Sequence, residues 1–287
     1  MTGGFGPDRQ DDLREVRDLL RQQVRRLGRK GGRVRIRAGH GGLDETAMLF
    51  SGETDIAVAT PVAALRLLHQ FGDLPGLVSL GVFARSGALV AAVDAGSPQD
   101  TVGDLVTRDG CLTVAAPADD GVNLMGFAVR RALRIAGIGA EVRFVHDELP
   151  ADCFKRFARG EADVVIHDLV SATDWAAAAG TRPVKYLPWG RRVLHSFESQ
   201  GWPTREVSTA ELPFLDADLP TLDCSDIAVL CREDLDEKVA RLTARFLEAR
   251  AERSTNTAET VRSPLPPHPA VALAHADLLA DVPLGSR

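Results

Sequence analysis

One short string occurs twice in this chain, and it constrains the fold more than any other feature. Phe50-Ser51-Gly52-Glu53-Thr54-Asp55-Ile56-Ala57-Val58 is echoed by Phe157-Ala158-Arg159-Gly160-Glu161-Ala162-Asp163-Val164-Val165-Ile166. In each copy a glycine placed to end a helix is followed by an acidic turn. β-Branched and small apolar residues come next, the pattern of a buried parallel strand. The first strand empties into Thr60-Pro61 and the second into His167-Asp168. Ligands of open α/β sheets sit beyond the carboxyl ends of the strands, so two such ends about a hundred residues apart predict two lobes facing one cleft.

The 287 residues, 45% of them hydrophobic, are enough for two packed α/β domains. Alternating strands and helices run along the whole chain. An amphipathic helix over Asp11 to Leu27 and a strand over Arg33 to Ala38 open it. Two apolar runs, Val78 to Phe83 and Leu89 to Val93, read as strands joined by an Arg85-Ser86-Gly87 turn. From Val102 to Leu187 the β-α alternation predicts a second, mostly parallel sheet. Residues 191–222 read as irregular, and a helix over Leu235 to Arg250 precedes a proline-rich connector, Ser263 to Pro269. Ala95-Gly96-Ser97-Pro98 is the first good linker. It predicts one lobe from residues 1–96 and 223–287 and another from 97–222.

A formal net charge of −6 and a pI near 5.7 exclude general nucleic-acid binding. The first 37 residues are locally basic, with ten Arg and one Lys against five acids, and read as a solvated helix face. No export signal is visible and no stretch is apolar for long enough to span a bilayer, so a cytoplasmic protein without membrane insertion is expected. Cys111, Cys153, Cys224 and Cys231 form no CxxC pair and read as reduced core cysteines, with a Cys224/Cys231 pair or a reactive Cys153 as alternatives. No HExxH, CxxC, Walker or Gly-x-Ser-x-Gly pattern occurs, so no metal and no cofactor are expected.

The order of segments resembles the TAXI solute-binding subunits of TRAP transporters. The pieces that carry the resemblance are Ser51 to Ala57, Ser97 to Leu105, Leu112 to Gly121, Gly160 to Asp163, Gly201-Trp202 through Val207, and Glu211 to Thr221. A long helix after the acidic turn Arg232-Glu233-Asp234 also matches. The resemblance covers nearly the whole chain. It implies an α/β, two-lobed periplasmic-binding-protein-like fold (type II) with a ligand cleft between the lobes, closing by hinge motion on a polar or carboxylated organic molecule. The family's ligand loops correspond to Thr2-Gly3-Gly4, to the turn His40-Gly41-Gly42, to Thr60 after the third strand, and to Ala118-Asp119-Asp120-Gly121. Several neutral groups of the family pattern are replaced here: Glu45 stands where Asn is common, Val62 where Asp is, and Asp119-Asp120 in a Gly-Ser-Gly loop. Thr2-Gly3-Gly4 stands at the chain start with no strand before it. Either the start is misplaced or the first sheet has lost a strand, in which case the expectation is a gap filled by another segment or by a second copy in a homo-oligomer.

Candidate site residues follow from these strand ends. Asp119 or Asp120 either caps the next helix or serves as a cleft carboxylate that binds a cationic group or moves a proton. His167, with Asp168, is the best placed histidine for cleft chemistry, or a structural one bonded to backbone. His167 and Asp120 are the catalytic candidates. Tyr186 and Trp189 either wall the cleft or pack the core. Two functions stay open: a small-molecule binding protein, and a lyase-type enzyme on the same fold, a dehydratase or decarboxylase of a carboxylated metabolite.

Overall fold

The computed structural model describes residues 43–71, 74–83, 87–105, 111–117, 123–138, 142–145, 150–169, 172–212, 215–253 and 263–281. The expected Asp11 to Leu27 helix and Arg33 to Ala38 strand lie outside them, as do site residues Thr2, Gly3, Gly4, His40, Gly41, Gly42, Asp119, Asp120 and Gly121.

Both copies of the echo form the expected unit. Helix α1 (Leu43–Phe50) ends at Gly52, φ 75°, before strand β1 (Ile56–Ala59). The second copy ends its helix at Gly160, φ 74°. Only glycine enters this left-handed region without steric cost. There the Gly160 amide bonds Phe157 O at 2.9 Å and the Glu161 amide bonds Arg156 O at 2.9 Å, which satisfies the last carbonyls of the helix. The acidic residue of each copy ties its strand to a neighbour. Asp163 Oδ2 accepts the Thr113 amide at 2.8 Å, and Asp55 lies 3.9 Å from Arg232 Nη2. Arg232 Nη1 also donates to Leu49 O and Thr54 O, closing the end of α1.

The strands form two sheets. The smaller has the order β1-β10-β2, with β10 (Ile227–Arg232) antiparallel to both β1 and β2 (Leu77–Phe83). β1 is thus antiparallel to its one described neighbour, where the sequence pattern predicted a parallel strand. Burial on both faces produces the same apolar run in either orientation. The larger sheet comprises β3 (Ala88–Asp94), β4 (Leu112–Ala115), β5 (Val142–Val145), β6 (Val164–Asp168), β7 (Val184–Leu187), β8 (Thr204–Val207) and β9 (Leu219–Asp223). β4 is parallel to β5 and β6, as expected, but β3 is antiparallel to β6, β7 and β9. On one edge β3 pairs with β6; on the other, β9 takes Ala88 and Leu89 while β7 takes Ala91 to Asp94.

This topology corrects two readings. The runs 78–83 and 89–93 are no hairpin, because β2 and β3 belong to different sheets. The passage between sheets also falls before β3 rather than at Gly96-Ser97-Pro98. β3 is built of small residues buried on both faces, with Leu89, Ala91 and Val93 in one core layer and Ala88, Val90 and Ala92 in the other. Such a strand is fit only for the middle of a sheet covered on both sides.

Helices complete the layers. α2 (Val62–Phe71) has two apolar faces: Val62 and Leu65 pack with β1 and β10, while Ala63, Ala64 and Leu67 join the core under α3 (Leu124–Ala136). α2 therefore bridges the sheets, and its Arg66 Nη1 reaches Gly201 O at 3.0 Å. α4 (Pro150–Ala158) and α5 (Ala172–Thr181) cover the other face of the larger sheet. A helix α6 (Arg191–Glu198) and strands β8 and β9 occupy the stretch read as irregular. α7 (Glu237–Arg253) packs on β2 and on α8 (Pro269–Asp281). The proline-rich connector docks beside β2 through Ser79, whose amide bonds Pro266 O at 2.8 Å and whose carbonyl accepts the His268 amide at 2.8 Å.

The two passages between sheets, before β3 and between β9 and β10, lie against each other. A Cβ added at Gly87 would sit 2.5 Å from Cys224 O. Gly87→Ala should therefore destabilise the protein by roughly 1–3 kcal/mol, the usual cost of overpacking, measured as a shift in the urea midpoint. Gly180→Ala, where added Cβ meets nothing within 4 Å, is the control expected to be neutral or stabilising.

Candidate functional site

The carboxyl end of β1 and the first turn of the helix after β4 both reach the segment Cys224-Ser225-Asp226 that carries the chain from one sheet to the other. From the smaller lobe, Thr60 leaves β1 and its Oγ1 donates to Asp226 O at 3.1 Å. Asp226 has φ 70°, the one positive φ outside glycine among the described residues. Aspartate tolerates this conformation better than most side chains. From the larger lobe, α3 follows its cap Asn123, and Met125 Sδ in its first turn lies 3.9 Å from the Cys224 thiol. Gly87 completes the junction. Its carbonyl accepts Cys224 N at 3.2 Å, Ser225 Oγ at 3.2 Å and Arg205 Nη1 at 3.4 Å, and its amide donates to Ser225 Oγ at 3.1 Å.

Asn123 caps α3, accepting the amides of Met125 at 2.9 Å and Gly126 at 3.0 Å on its side-chain oxygen. The cap considered for Asp119 or Asp120 thus belongs to a residue that the sequence reading passed over. The signal was present, since Asn is among the strongest N-cap residues and stands just ahead of an apolar run.

His167 and Asp168 are not in a loop, because β6 continues through both and pairs them with Val90 and Leu89. Alternation along the strand sends them to opposite faces. His167, 8% exposed, lies on the face under α4 and α5, with its ring 5.6 Å from Phe154. Phe154 and Trp175 are 4.6 Å apart, and Trp175 and Tyr186 5.7 Å, so His167 belongs to an aromatic packing layer. Asp168 is 2% exposed and its Oδ1 accepts the amide of Ala88 at 3.2 Å, fastening the first residue of β3. Trp189 is core as well, donating Nε1 to Leu89 O at 2.6 Å.

Burial pushes the Tyr186 hydroxyl up to about 12. Burial likewise pushes the Cys231 thiol up to about 12, partly offset by Arg232 and reinforced by Asp234. Neither group ionises near neutral pH. All four cysteines are free thiols, with Cys111 exposed and Cys153, Cys224 and Cys231 buried. Among the described residues no set of three His, Cys, Asp or Glu is gathered for a metal, and no helix is long and apolar enough to cross a membrane.

No protein-family model matches the chain, and no curated protein matches it. Solved structures do. One described as a periplasmic transporter superposes with a TM-score of 0.52 over 99% of this chain and 96% of its own, at 12% identity. A Xanthomonas citri protein bound to chloride ion gives 0.51 over 97% and 95%, at 13% identity. The same protein bound to ATP gives 0.50 over 98% and 95%, at 12% identity. The fold is that of the two-lobed periplasmic binding proteins, type II-like. Thr60 with Asp226, and Met125 with Cys224, meet at the passage from the larger sheet to the smaller.

Asp168→Ala should leave the Ala88 amide buried without its acceptor and cost about 1–3 kcal/mol in chemical denaturation. Asp168→Asn keeps an acceptor oxygen and should recover most of that loss. An equal loss in both variants would mean that the charge of Asp168, rather than its hydrogen bond, matters.

Proposed function

We propose that the protein binds a small polar organic molecule at the junction between its lobes and closes on it by hinge motion, in the manner of TAXI-type solute-binding subunits. The observation that carries the reading is the meeting of the β1 end and the α3 start on one crossover: Thr60 on Asp226 O, and Met125 on Cys224. A ligand held there touches the two lobes and the hinge at once, so its binding energy is coupled to their angle. Fold likeness to a periplasmic transporter, and to a protein solved with ATP or with chloride, supports a ligand-binding role.

The contacts we assign are Thr60, the His40-Gly41-Gly42 turn, Thr2-Gly3-Gly4 and the Asp119-Asp120-Gly121 segment. That last segment joins β4 to Asn123. Asn123 caps α3, and we assign the Asp119 and Asp120 carboxylates to the ligand, where they favour one that carries an amine or several hydroxyls beside any carboxylate.

A thermal-shift panel of L-arginine, L-glutamate, succinate and ATP tests this, followed by calorimetry on any compound that raises the melting temperature. Asp120→Asn and Thr60→Val should each weaken binding of that compound about tenfold or more, with no turnover by the parent protein. Turnover of the compound, suppressed by Asp120→Asn at unchanged affinity, would replace the binding reading with the enzyme one.

A further inference from the structure

We propose that Arg205, gripped by Glu211, is a positioning residue that sets the angle between the lobes by anchoring the Gly87 carbonyl, and so tunes ligand affinity from outside the cleft. The affinity part rests on the binding function proposed above; the anchoring itself does not.

Three donors meet at Gly87 O, and they are not equivalent. Cys224 N and Ser225 Oγ belong to the other interlobe passage and move with it. Arg205 belongs to β8, in the body of the larger lobe, so it alone of the three ties Gly87 to a lobe. Arg205 stands opposite Thr221 of β9, and Asp223 of β9 stands opposite Ala88 of β3. The side chain therefore crosses the whole width of β9 to reach the residue before Ala88. A guanidinium suits that reach because its planar fork can serve two acceptors in fixed directions. Nη1 takes the Gly87 carbonyl while Nη2 pairs with Glu211 Oε1. The second oxygen of Glu211 is held by Ser208, through its amide at 3.1 Å and its hydroxyl at 3.2 Å. Burial raises the Glu211 pKa, yet the Ser208 amide and Arg205 outweigh it and leave the carboxyl below its ordinary value.

Everything on the lobe side of Gly87 is fastened already. Asp168 holds Ala88 N, and Trp189 with Thr221 holds Leu89 O. Freedom gained at Gly87 is consequently freedom of the hinge. Cys224 reports it, since its thiol is buried against Met125 of α3 while its own backbone amide and carbonyl lie against Gly87, so a shift of that passage moves the residue that carries the thiol.

The experiment is alkylation by iodoacetamide of the protein without ligand, followed cysteine by cysteine through peptide mass spectrometry. Arg205→Met and Glu211→Gln should each speed modification of Cys224 roughly tenfold, the factor expected for losing one hydrogen bond to a charged group. Cys153 and Cys231, buried in the two lobe cores, should keep their rates within about twofold. The double variant should add little to either single one, because both remove the same clamp. Arg205→Lys should not restore protection, since an ammonium cannot bridge both acceptors. Equal acceleration of all three buried thiols would overturn the proposal in favour of general stabilisation, and an unchanged Cys224 rate would overturn it outright. If the panel yields a binder, Arg205→Met should lower its affinity as the closed population falls. A panel with no binder would count against the binding function, and the Cys224 rates would still decide the clamp.

Discussion

The close approach of Gly87 to Cys224 and Ser225 is the constraint on which both lobes depend. Of the two strands reached through these passages, β10 is the middle strand of the smaller sheet and β3 is bonded on both edges in the larger. Neither sheet can form its central pairings unless the chain crosses at this point in this register. A side chain at residue 87 would separate the passages, since an added Cβ would lie 2.5 Å from a backbone oxygen that cannot swing aside. The absence of a methyl group at one position thus sets the spacing of β3 and β9 at their shared ends.

α2 adds a second link of a different kind. Its sequence, Val-Ala-Ala-Leu-Arg-Leu-Leu, is apolar around most of its circumference, which suits a helix buried on two sides. Val62 and Leu65 belong to the smaller lobe, whereas Ala63, Ala64 and Leu67 belong to the core of the larger. The alanines permit close approach to α3, and Leu67 alone removes enough apolar surface from water for about 1.5–3 kcal/mol. A hinge motion that separates α2 from α3 has to give this up, so opening is resisted by apolar packing as well as by the polar junction. Thr60 sits immediately ahead of α2. Only Pro61 separates it from Val62, the first residue of that helix.

Much of this was readable from residue order. The echo predicted both helix-ending glycines and both buried strands, because left-handed conformation and two-sided burial leave strong local signatures in Gly52, Gly160 and the Val-Ala-Ile runs. What escaped was nonlocal. The apolar runs of β2 and β3 look like a hairpin because alternation says nothing about which sheet a strand joins. β8 and β9 were missed because Thr-Arg-Glu-Val is polar, being half-exposed at the sheet edge, and because Pro220 interrupts Leu-Pro-Thr-Leu-Asp. Proline is tolerated there since its partner across β8 is Glu206, at a position where β9 need not donate to β3. Without those strands Arg205 had no address, and the hub at Gly87 could not be inferred. His167 was misplaced for a related reason. A polar residue after a buried strand usually marks its end, but here an aromatic layer accepts an imidazole and the strand runs on.

The chemistry of the junction follows from which groups remain neutral and which carboxylates are already engaged. Asp168 accepts Ala88 N, and Asp223 accepts the amide of Ser225 at 2.7 Å. Both carboxylates therefore organise the backbone of the hinge. Tyr186 and Cys231, which burial pushes up to about 12, lie in the cores of the larger and smaller lobes respectively. A general acid or base must combine a pKa near the working pH with hydrogen-bond reach to the reacting atom. Among the described residues the groups that meet at the junction include threonine and serine hydroxyls, backbone carbonyls, a thioether, a thiol and the Arg205 guanidinium. They are well suited to holding a polar molecule by directed hydrogen bonds against an apolar wall. Under the proposed binding function the junction supplies shape and orientation, and the Asp119 and Asp120 carboxylates assigned there supply selectivity for ligand charge.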